Sequence, residues 1–276
     1  MSLTVTQAVE QLVRATVDLT DEDMGREWKW GAYDEEGLRF ALLMTHHELR
    51  DLAVRLASGR DAEPSGSQRI LAQYHQAYRD LTGVLAGVTT EDLDTVPAAG
   101  EWPLRETLRH IIGAEHGFLA VCRLGIERSR SQQDGEPTDA EWESFRAPYA
   151  EARTKAEEAI SRGTIEQIRD AFATIHIRVL RELGDVSDAE LEAMAWFWDG
   201  AMPIRFRLHR FEEHLRQHTI QLDKIRAVVR PPTEVHRLVR NIYNALADIE
   251  SDMSNREDLR GPIARVISER AAAIVL

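Results

Sequence analysis

The stretch HLRQHTIQ places His214 and His218 four residues apart, with Gln221 three further on. On a helix, residues four apart project the same way, so two imidazoles there could share one metal ion. The surrounding apolar residues say where the pair points. Ile204, Leu208, Phe211, Leu215, Leu222 and Ile225 form a helical stripe with one gap, and His218 fills it. Successive residues turn by about 100°, which puts His214 and Gln221 on the shoulder of that stripe. Two inward histidines are costly to bury without partners. A metal satisfies both, and hydrogen bonds to carboxylates are the other solution. His209, near Arg205, Glu212 and Glu213, reads as solvated.

A catalytic metal usually takes about three protein ligands and keeps a position open. The segment WPLRETLRHIIGAEHGFLAVC (102–122) offers two more histidines. Its apolar stripe is Leu104, Leu108, Ile111, Glu115, Phe118 and Cys122. His110 lies beside it, with Thr107, Ala114, Gly117 and Val121 as helix neighbours. That strip of small, uncharged residues lets a helix or a ligand approach closely. His116 falls among Arg105, Arg109 and Arg123, a cationic face that repels a metal ion and suits solvent. His110 is therefore the better third ligand. His176 lies in a stripe with Phe172, Val179 and Leu183, and reads either as a core histidine with a polar partner or as a residue supporting a ligand. His46 sits on the shoulder of its helix, His47 points away, and neither is assigned. Cys122, the single cysteine, reads as core packing rather than a nucleophile.

These residues need elements to hold them. The apolar spacing is helical almost throughout, and strict alternation is hard to find, so the chain reads as all-α. Helices are expected at about 5–19, 35–58, 68–86, 103–124, 149–184 with a break near Gly163, 203–228, 233–253 and near the C-terminus. Pro103 suits the first position of its helix. Residues 128–148 read as a long polar connection holding at most a short helix, and WFWDGAMP (196–203) as a joining loop. Residues 66–230 then form a four-helix bundle with long connections. Residues 1–60 and 233–276 add helical extensions at either end, the first packed on the core.

Composition bounds the function. The chain has 276 residues, 43% hydrophobic and 29% charged, as expected of a soluble globular protein. Its net charge of −13 argues against nucleic-acid binding. No apolar run reaches the roughly 20 residues of a spanning helix. No signal peptide is evident, and one cysteine permits no internal disulfide, so a cytoplasmic location is expected.

Two of the segments resemble a known family. GEWPLRETLRHIIGAEHGFL, with Trp102 and His110, is similar to the second helix of the DinB/YfiT-like superfamily. WFWDGAMPIRFRLHRFEEHLRQHTIQ resembles that family's last core helix, with Asp199 and Gly200 leading in to His214, His218 and Gln221. The resemblance covers about 66–230. It implies an up-down-down-up four-helix bundle and a metal site at His110, His214 and His218. Thr219 and Ile220 stand where the family often has a basic residue and a glycine. The family is named for DNA-damage induction, which implies a stress-response setting without implying DNA binding.

Three neutral imidazoles leave a divalent ion its full charge and an open position. Zinc is the first expectation, with nickel, iron, manganese and cobalt also suited. Members of the family include S-transferases and isomerases that use bacillithiol, mycothiol or glutathione. The resemblance therefore implies a metal-dependent S-transferase acting on a small-molecule thiol and an electrophilic substrate. Trp102, Trp196 and Trp198 are expected near the pocket, and Gln221 on a ligand histidine or the substrate. The alternatives are a hydrolase using bound water, with Glu115 as candidate base, and a non-enzymatic metal-binding or oligomerisation module. A homodimer is expected from the apolar faces of the added helices.

Overall fold

The computed structural model describes residues 3–30, 37–60, 62–252, 254 and 256–275. The expected helix start at Glu35 lies outside these residues. The described chain is helical apart from one hairpin, and it divides into two compact units.

The first unit comprises Met1–Glu63, Arg79–Gly87 and Arg230–Leu276. Its main helices are α1 (Val5–Thr16), α2 (Leu38–Ser58), α8 (Glu234–Glu250) and α9 (Glu257–Val275). Thr4 caps α1 by accepting from the Gln7 amide, and Gln7 returns the bond. Val5, Ala8, Val9, Leu12 and Val13 then face inward, three and four residues apart. Helix α1 packs on α9, and α2 on α8 and α9. The guanidinium of Arg270 is fully buried in this core and donates to both Glu48 oxygens at 2.8 and 2.9 Å.

The second unit comprises Pro64–Tyr78 and Val88–Val229. It holds most of α3 (Gly66–Val84), then α4 (Leu104–Arg130), α5 (Asp139–Arg162), α6 (Ile165–Leu183) and α7 (Ile204–Val229). Helices α3, α4, α6 and α7 form the bundle core. Tyr74 of α3 meets His176 of α6 and Phe211 of α7 at ring distances of 4.7 and 5.3 Å. Helix α4 packs on α5, α6 and α7.

Three local readings are corrected. The polar connection at 128–148 is largely helix: α5 starts at Asp139 and runs unbroken to Arg162. Thr138 accepts from the Glu141 amide while the Glu141 carboxylate accepts from the Thr138 amide at 2.8 Å. This reciprocal cap starts α5 earlier than the apolar pattern does. Gly163 does mark the break, and a second such cap, Thr164 with Gln167, opens α6. WFWDGAMP is not a plain loop. Strands β1 (Met194–Phe197) and β2 (Gly200–Pro203) pair antiparallel, with Phe197 opposite Gly200. Gly200 has φ +95°, which favours glycine in the tight turn. Pro103 sits one residue ahead of its helix, as the N-cap of α4.

Candidate metal centre

Helix α4 supplies His110, and α7 supplies His214 and His218. The two helices pack together, and three ring nitrogens, one from each histidine, lie within 4.8 Å of one another. The Nε2 atoms of His214 and His110 are 3.2 Å apart. Two nitrogens each about 2.1 Å from one ion lie about 3.0 Å apart at a right angle and about 3.4 Å at the tetrahedral angle. The observed spacing falls between these.

The rings are held from outside. The His218 Nδ1–H donates to Gln221 Oε1 at 2.9 Å, which leaves the lone pair on Nε2. Phe118 stands edge-on to His214 at 5.3 Å, and Trp102 is tilted over His110 at 5.4 Å. His214 and His218 are buried. Burial, reinforced by the neighbouring His218 and His110, pushes the His214 pKa down to about 3. Burial and His218 also lower His110. His214 and His110 thus resist protonation, as metal-binding imidazoles must. His214 Nδ1 is enclosed without a hydrogen-bond partner.

The aromatic–Asp–Gly lead-in has a structural task. Arg207, 4% exposed, ion-pairs with Asp199 at 2.7 Å and donates to the Gly200 carbonyl at 2.6 Å. It also reaches the Ala195 carbonyl at 3.4 Å. This fastens the hairpin to the start of α7. The hairpin lies close on α4 because Gly125 has no side chain: a Cβ there would come 2.7 Å from Ala195 Cβ.

The remaining site candidates lie elsewhere. Trp196 and Trp198 line a groove whose wall includes none of the three histidines. His176 is buried against α3, stacked on Tyr78 at 3.8 Å and bonded through Nε2 to His75 Nδ1 at 2.8 Å. Glu115 is completely enclosed. Burial raises its pKa to about 8, with the Tyr74 hydroxyl opposing the rise, and neither oxygen has a partner at hydrogen-bond geometry. Cys122 is buried and its thiol is pushed up to about 12 by burial. His209 is exposed.

His116 is a correction. The sequence places it on a solvated cationic face, yet it is 5% exposed, and burial lowers its pKa to about 4. Helix α5 covers that side of α4. Arg105 is drawn off to Asp94 and to the carbonyls of Ile160 and Gly163. Arg123 pairs with Glu127.

No helix among the described residues is long and apolar enough to cross a membrane. The family model of the DinB superfamily matches residues 73–222, more than half of the 276-residue chain and inclusive of all three histidines and Gln221. No curated protein and no solved structure matches the chain.

Proposed function

The chain belongs to the DinB superfamily, and we propose that it is a metal-dependent enzyme whose divalent ion is held by His110, His214 and His218. The observation that carries this reading is the convergence of three imidazole nitrogens within 4.8 Å. The donor set fits such an ion: it is all nitrogen, burial disfavours the protonated forms of His214 and His110, and Gln221 orients His218. Zinc suits it best, and nickel, iron, manganese or cobalt fit the same donors.

The reaction we favour is transfer of a low-molecular-weight thiol to an electrophile. A divalent ion with an open position lowers the pKa of a bound thiol and polarises a carbonyl. The chain's own residues orient and shield. Gln221 holds the His218 ring, while Phe118 and Trp102 wall the histidines. The thiol must come from outside, because Cys122 is buried with its pKa near 12. Hydrolysis by bound water is less well supported: Glu115, its candidate base, is enclosed and protonated at neutral pH.

The test is a panel of bacillithiol, mycothiol and glutathione with chlorodinitrobenzene, using metal-loaded and chelator-stripped protein. Conjugation with one thiol, lost on stripping and restored by metal, is expected. Equal rates in stripped and loaded protein would overturn the assignment.

A further inference from the structure

A second concavity lies in the same unit, between α4, α5 and the hairpin. Its volume is about 660 Å³, within the roughly 300–1,000 Å³ of small-molecule sites. Trp142 and Tyr149 of α5 and Trp196 and Trp198 of the hairpin supply flat apolar surface. Trp198 is 82% exposed, an unusual state for so large an apolar side chain. Flat rings of this kind accept a planar ligand by stacking.

The floor is kept open. Gly117 of α4 lines the groove, and a Cβ built there meets nothing within 4 Å. Its neighbour His116 also lines the groove, is 5% exposed, and has Nδ1 enclosed without a partner. Burial keeps that ring neutral, so it adds a polar edge without charge.

Charge orders the groove along α5. Glu136 precedes the helix, Asp139 and Glu143 lie near its start, and Arg146 and Arg153 follow on the same lining face. Arg153 pairs with Glu157 at 2.8 Å. Arg146 forms no hydrogen bond or ion pair among the described residues. An anionic group therefore finds partners at the arginine end and repulsion at the other.

We propose that this groove binds a planar aromatic carboxylate, its ring among the tryptophans and its carboxylate at Arg146 and Arg153. Gly117 lies seven residues beyond His110 on the same face of α4, about 10 Å along the axis. The proposal goes beyond the metal reading and does not depend on it.

Calorimetric titration with 1-naphthoate, 1-naphthalenemethanol and 1-naphthylmethylamine tests it, on both chelator-stripped and metal-loaded protein. Naphthoate is expected to bind at least about tenfold more tightly than the alcohol or the amine, with or without metal. Arg146→Gln weakens it about tenfold, the loss of one charge-assisted hydrogen bond. Gly117→Leu fills the groove and abolishes binding, while the melting temperature holds or rises because leucine favours helix over glycine. Equal binding of the three probes, no binding of naphthoate, or an unchanged Kd in either variant would overturn the proposal. A groove that binds naphthoate in stripped protein survives even if the three histidines prove to hold no metal.

Discussion

Glu115→Gln should stabilise the protein at neutral pH, in an amount set by the enclosure of this carboxyl. In the unfolded chain the group ionises near the ordinary 4.5, and in the fold burial holds it protonated to about 8. The folded pKa is raised, so the contribution of Glu115 to stability is fully present below 4.5 and is lost as pH climbs toward about 8. Each pH unit in that window costs about 1.4 kcal/mol, which makes about 3 kcal/mol at pH 7. Glutamine matches the neutral acid in shape and does not titrate. Urea unfolding of both proteins at pH 5 and pH 7.5, with stability from the midpoint and slope, reads the difference. The variant should gain little at pH 5 and about 3 kcal/mol more at pH 7.5. A difference that does not change between the two pH values would refute the burial argument. A variant less stable at pH 7.5 would show Glu115 to be ionised and partnered.

Three further outcomes follow from contacts already described. Gln221→Leu removes the acceptor that orients His218 and should weaken metal affinity 10- to 100-fold in chelator competition; unchanged affinity would remove Gln221 from the site. Cys122 should be silent to Ellman's reagent at pH 8 in the native protein and react fully in guanidinium, since its thiol is buried and titrates near 12; rapid native reaction would contradict its packing. Arg207→Met leaves the part-exposed Asp199 without its cation and frees the hairpin from α7, and should cost about 2 kcal/mol in urea unfolding, the worth of a charge-assisted hydrogen bond, whereas a cost near zero would mean that Arg207 does not fasten the hairpin.

Much of this arrangement could be read from residue spacing. The gap in the α7 stripe turned His218 inward, and the structure buries it beside His214. The strip of small residues on α4 singled out His110, which lies among the other two. Apolar periodicity is weak in TDAEWESFRAP and marks a helix only from about 149, although Thr138 and Glu141 three residues apart carry the capping signal for the start at Asp139. The arginines around His116 in the sequence suggest solvent, and no local pattern reports that α5 covers it or that Arg105 and Arg123 turn to Asp94 and Glu127. The Asp-Gly pair at 199–200 likewise signals a hairpin turn, but the strands are too short for alternation to register. Local capping and turn chemistry held the missing information, whereas the enclosure of Glu115 depends on long-range packing that no local pattern reports.

The central claim is that His110, His214 and His218 bind a divalent ion. Elemental analysis of protein made without a histidine tag, compared with its His218→Ala variant, tests it most directly. About one divalent metal per chain is expected in the parent, as a three-histidine site would hold, and its loss in the variant, with the helical circular dichroism unchanged. A parent protein free of metal after reconstitution, or a variant that keeps the full equivalent, would contradict it.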